Sequence, residues 1–198
     1  MPNQTDITFG TATFDTPGGS DWVDLDKALI QDGFYAESDL TNIGIGASTK
    51  TITVSIPAAG DYAGIPDNAT IVGIRLNTTI RSTVADRLQN KVVRIKQGNT
   101  PGQDKAIPPY FYTDQWHIYT HGGTSDLWQT SGWTVRGATH PLSELGFEFQ
   151  SESLFFAGAK VQILLITATV HWTAPTIAAG VIALGGILDS KIIRDEGY

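Results

Sequence analysis

The stretch that most constrains this chain runs from Ile65 to Arg81, IPDNATIVGIRLNTTIR. Pro66, Asp67 and Asn68 carry turn chemistry. After them Val72, Ile74, Leu76, Thr78 and Ile80 share one face, while Gly73, Arg75, Asn77, Thr79 and Arg81 share the other. A repeat of two residues is that of a strand with one side buried. So long a strand needs partners on both edges and a second layer over its apolar face, and one sheet packed on another supplies both.

Other segments repeat the pattern. Thr51 to Pro57 puts Ile52, Val54 and Ile56 on one side, Lys91 to Lys96 turns Val93 and Ile95 inward, and Leu145, Phe147 and Phe149 alternate. Val161 to Trp172 is a longer apolar strand of the kind found at the centre of a sandwich, and its run Ile163-Leu164-Leu165-Ile166 implies burial on both faces. Twenty-one glycines, abundant threonine and a single methionine disfavour helices. Trp22, Leu25 and Leu29 leave room for one brief helix or irregular strand, and Gln97 to Pro109 reads as a Gly/Pro-rich loop. The expected fold is all-β, an antiparallel, jelly-roll-like sandwich of roughly seven or eight strands over residues 22–172. An extended N-terminal arm is expected over 1–21, where Pro17-Gly18-Gly19 breaks the chain, and an apolar C-terminal tail over 173–198.

With no cysteine in the chain, disulfides, thiolate metal sites and cysteine nucleophiles are excluded. The opening MPNQTDITFGTATF lacks the basic and apolar regions of a signal peptide, so synthesis in a cytoplasm is expected. Three Asn-x-Thr sequons, at Asn3, Asn68 and Asn77, then count as chance matches. The run from Ile177 to Leu188 is wholly apolar but only twelve residues long, too short for a bilayer, and is expected to dock on a neighbouring subunit. Residues 1–40 hold eight acids against Lys27 alone, whereas 75–105 hold seven basic residues against two acids. These bands fit solvated strand faces or contacts between subunits. A net charge of −7 argues against nucleic acid as a partner.

Candidate chemistry is sparse. His117 and His121 would make a metal face on a helix, but in a strand four residues separate them by roughly 13 Å. His121, Ser125 and Asp126 spell a hydrolytic triad without the strand-elbow-helix context of one. Glu144, Glu148 and Glu152 could supply an acid/base pair for sugar hydrolysis, although Glu148 between Phe147 and Phe149 reads as a solvated strand position. No glycine loop for phosphate is present, and neither a cofactor nor a metal is expected. Trp116, Tyr119, Trp128 and Trp133 form a possible aromatic binding loop able to stack on carbohydrate rings, or else belong to the core.

Several phrases, in the same order, resemble a group of β-sandwich virion proteins of tailed bacteriophages. They are Asp32-Gly33-Phe34-Tyr35-Ala36, the stretch from Ile65 to Ile74, Gly122-Gly123-Thr124-Ser125-Asp126-Leu127-Trp128, Leu145-Gly146-Phe147, and a final hydrophobic strand ending at Trp172. The resemblance spans about residues 30 to 172 and implies a non-enzymatic structural module of the head decoration (cement) type, commonly a trimer. The expected role is therefore a capsid decoration protein on the virion surface, bound to the major capsid protein and to its own copies. Phe9, Phe14, Ile177, Val181, Ile182, Leu184, Ile187 and Leu188 are its expected contacts. The alternative is a tail or fibre module that recognises a host surface glycan.

Overall fold

The computed structural model describes residues 2–14, 18–42, 44–56, 64–106, 111–130, 132–136, 141–155 and 159–175. Their strands are β1 (Asn3–Thr8), β2 (Thr11–Phe14), β3 (Trp22–Val23), β4 (Ala36–Asp39), β5 (Ile52–Ser55), β6 (Thr70–Ser82), β7 (Leu88–Gln97), β8 (Thr100–Asp104), β9 (His117–Gly122), β10 (Leu145–Ser153) and β11 (Lys160–Thr173). Two antiparallel sheets result. One has the order β3-β4-β11-β6-β9, with β1 also paired to β11; the other runs β2-β5-β10-β7-β8. The expected antiparallel β-sandwich is the fold.

Alternation in the sequence becomes alternation in burial. Ile74, Leu76 and Ile80 of β6 are fully buried, as are Ile52 of β5, Val93 and Ile95 of β7, and Leu145 of β10. Facing side chains of the two sheets close a single core. As the sequence implied, β11 is central: β6 runs along one edge, and β4 and β1 share the other.

Departures from the simple pattern trace to bulges and to the turns between strands. The register of β11 on β6 slips between Ile163 and Leu165, so Leu164 is an extra residue and Ile163 and Ile166 both turn inward. Leu164 and Leu165 are only half-buried, and the apolar run is not covered on both faces. A second slip opposite Val72 puts Ile71, not Val72, on the buried side. Gly73 is needed there because a Cβ would lie 2.4 Å from the carbonyl oxygen of Gly123. Residues 100–104, expected within a loop, pair with β7 as an edge strand, where Pro101 costs no ladder bond. The brief helix is a 3-10 turn, Leu25–Leu29, that buries Leu25, Ala28 and Leu29.

The N-terminal segment is extended, but it is not a separate arm. β1 pairs with β11 in the first sheet and β2 with β5 in the second, so residues 3–14 cross from one layer to the other. Phe9 lies at the crossing, 4% exposed, edge-on to Phe147 at 5.4 Å. It is a core residue of its own chain and so cannot serve as the expected contact, because the crossing carries its ring between the layers. Phe14 stays 36% exposed at the end of β2, with Lys50 Nζ 5.0 Å from its ring centre. The expected contacts Ile177, Val181, Ile182, Leu184, Ile187 and Leu188 lie outside the described residues.

Because Ile7 and Phe9 fill the shared core, removing residues 2–14 should lower the melting temperature by about 10 °C or more, or drive the protein into aggregates. Circular dichroism melts of the full and shortened chains measure this. A segment ordered only against other chains would come away without a change.

Candidate ligand-binding face

Strand register assembles the site. Glu37 of β4 stands opposite Gln162 of β11, and Gln162 opposite Arg81 of β6. Trp116 precedes β9, whose first residue His117 pairs with Ile80. Four strands thus set Glu37, Gln162, Arg81 and Trp116 in a line about 14 Å long on the outward face of the first sheet. Tyr35, just before β4, leans over the line until its ring centre is 5.8 Å from that of Trp116.

Arg81 sits beneath both rings, its guanidinium carbon 4.5 Å from the centre of Trp116 and 6.0 Å from that of Tyr35. Its Nε donates to Gln162 Oε1 at 2.7 Å, and Gln162 Nε2 donates to Glu37 Oε2 at 2.6 Å. Lys160 Nζ donates to Glu37 Oε1 at 2.6 Å. The hydrogen bond to Glu37 and the charge of that carboxylate raise the pKa of Lys160. One amide therefore ties a cation on one side to a carboxylate on the other, which settles its orientation. Beside the row opens a cleft of about 370 Å³ lined by Val23, Asp24, Lys27, Phe34, Tyr35 and Glu37. Phe34 is 64% exposed there, with Lys27 Nζ 5.4 Å from its ring centre.

Of the four aromatics expected to form a binding loop, Trp116 alone belongs to this face. Tyr119 is buried, its hydroxyl donating to the carbonyl of Phe111 and accepting from the amide of Thr113. Trp128 is wholly buried, donates from Nε1 to the carbonyl of Ile74 at 2.8 Å, and meets Phe147 edge-on at 5.6 Å. Trp133 is also buried and donates to Thr130 Oγ1. Tyr119 turns inward because it shares a strand face with buried His121, and the 123–130 loop folds over the gap between the sheets with Trp128 as its plug. Gly122, at φ +78°, makes room: a Cβ there would lie 2.6 Å from Trp128 Nε1. Tyr35 was missed. Its only signal was the pair Phe34-Tyr35 after Asp32-Gly33, a short apolar patch beside a turn.

The other candidates serve the fold. Glu148, 8% exposed, is clamped by Arg94 and by Lys96 at 3.3 Å, an ion-pair cluster with no room for an acid/base role. Asp126 accepts from the amide of Trp128 at 2.8 Å and pairs with Lys105 at 2.8 Å, which shapes the loop rather than a triad. His121 is buried and His117 exposed; among the described residues no group of three His, Cys, Asp or Glu is placed to hold a metal.

Comparison with known proteins yields folds only. No family model and no curated protein matches the chain. It is similar to the solved second N-terminal cellulose-binding domain of Cellulomonas fimi β-1,4-glucanase C, at 12% identity and a TM-score of 0.41, over 85% of this chain and 92% of that one. The N-terminal cellulose-binding domain of the same glucanase aligns at 13% identity and a TM-score of 0.34, over 86% and 99% of the two chains. A family two carbohydrate esterase from Cellvibrio japonicus aligns at 10% identity and a TM-score of 0.35, over 87% of this chain and 35% of its own. At such identities and scores these likenesses carry nothing about what this chain binds.

Two outcomes follow from the buried aromatics and histidines. Trp128→Ala should cost roughly 3–5 kcal/mol in urea denaturation, since it empties the plug and orphans the Ile74 carbonyl. Burial lowers the pKa of His121 to about 4, against an opposing backbone hydrogen bond at Lys105, and burial also lowers that of His171. The folded state keeps His121 neutral while the unfolded chain protonates it first. Its contribution is therefore complete above about pH 6.5 and fades toward pH 4, by up to about 1.4 kcal/mol per pH unit. Stability measured across that range should fall more gently in His121→Gln.

Proposed function

We propose that this chain is a non-catalytic binding module that grips a surface glycan with the outward face of its six-stranded sheet. The observation that carries the reading is the Tyr35–Trp116 pair over Arg81, set beside a cleft that also exposes Phe34. Sugar rings present apolar C–H faces and a rim of hydroxyls. Aromatic side chains next to fixed donors and acceptors complement both. Buried Gln162 joins Glu37 to Arg81, and Lys160 also holds Glu37, so a ligand meets charged groups held in position and loses little to their ordering. Glu37, accepting from two partners, is placed to hold rather than to turn over.

The resemblance to phage virion proteins supports placing this module on a particle. There many copies would multiply a modest affinity at each site, provided their spacing matches that of the glycan. Recognition of a host surface by a tail or fibre then fits better than the head decoration first expected. The decoration role stands as a second reading, favoured by Phe14 at the exposed end of β2.

Trp116→Ala and Tyr35→Ala should each weaken binding to an array of bacterial surface glycans by about tenfold or more. Their melting temperatures should change less than those of core variants, because Tyr35 is exposed and Trp116 only half-buried. Unaltered binding in both variants would remove the glycan reading and leave the decoration role.

A further inference from the structure

Resting on the proposal of a glycan site, we infer that the group gripped at Arg81 is an anionic substituent of the sugar, a carboxylate or a phosphate, rather than a neutral hydroxyl. The ion pairs around the site point there. Lys160 is paired with Glu37, and Lys27 with Asp32 at 3.4 Å. Among the described residues Arg81 has no carboxylate within salt-bridge distance. Acids are not scarce, since the chain has twenty against thirteen basic residues.

What Arg81 has instead is a neutral amide oxygen on Nε and two aromatic rings whose centres lie 4.5 and 6.0 Å from its guanidinium carbon. Gln162 cannot reverse its amide without losing Glu37, so the Nε contact is locked and the four N–H groups of the two Nη atoms supply the free fork. A planar fork of that kind matches carboxylate or phosphate oxygens two at a time. Half-burial at the sheet surface strengthens such a bond relative to open water. Glu37 does not oppose an incoming anion, since Lys160 offsets its charge and Gln162 stands between it and Arg81.

The remaining arginines of the basic band are placed differently. On the same face Arg75 Nη2 meets His171 Nε2 at 3.2 Å. Arg87 lies over one ring, Phe155, at 4.7 Å, and Arg94 pairs with Glu148. Among the described residues only Arg81 combines a locked Nε, two rings and a neighbouring cleft that shares Tyr35 and Glu37 with the row.

The test titrates the full chain with three matched oligosaccharides, one bearing a hexuronate, one a sugar phosphate and one neutral, by calorimetry at low and high salt. Binding of an acidic ligand should be at least about tenfold tighter than that of the neutral one, and the advantage should shrink as salt rises. Arg81→Gln should abolish the preference of acidic over neutral ligand, whatever it does to neutral binding, and Arg81→Lys should keep only part of it, since a point charge replaces the fork. Whichever acidic ligand wins identifies the source of the charge. Equal binding of charged and neutral ligands, or an acidic preference that survives Arg81→Gln, overturns this inference and leaves the glycan site standing. Failure of all three to bind overturns both. Thermal melts of the variants show whether a loss reflects unfolding.

Discussion

The ladder between β6 and β11 is the interaction on which the rest depends. Twelve residue pairs run along it, broken by two bulges. On the inside it seats Ile80 against Ile163, Leu76 against Ala168 and Ile74 against Val170, all fully buried. On the outside the same register sets Arg81 against Gln162. Because side chains alternate strictly, a slip by one residue would send Arg81 into the core and Ile80 to solvent. Core and binding row are two faces of one register.

Closure of the sandwich rests on segments that cross between layers. Residues 3–14 do this at one end, carrying Phe9 to Phe147. The 123–130 loop does it elsewhere, and its Trp128 also meets Phe147 edge-on. Trp128 and Gln129 both hold positive φ, at 58° and 56°, conformations that cost energy for such residues. Burial of the indole and its bond to Ile74 offset that cost. The aromatic richness of residues 110–135 is therefore mostly a sealing device, with Trp116 at its outer margin.

The binding row obeys a different rule from the core. Its members come from β4, β6 and β11 and from the residues just before β4 and β9, which are neighbours only after folding, and each is bonded to the next: Lys160 to Glu37, Glu37 to Gln162, Gln162 to Arg81, Arg81 beneath Trp116 and Tyr35. A connected chain of this sort resists rearrangement, since moving one side chain strands its neighbour's polar groups. The reward is a surface preset for a ligand with both apolar and charged features.

By itself the sequence determined the class, the strands β5, β6, β7, β10 and β11, and most of their inward faces, because a repeat of two is a local property of the backbone. It pointed to a central β11 as well. Tertiary structure alone decided the rest. Bulges at Leu164 and Val72 depend on what lies alongside, so the pattern read past them. Residues 3–14 are too polar to announce that they pair into both sheets, and only pairing with β11 and β5 gives them their place. Whether an aromatic is core or surface depends on which side of a sheet or loop it meets. That is why Tyr119, Trp128 and Trp133 went inside, Trp116 stayed out, and Tyr35, eighty-one residues away in the chain, came to lie beside it.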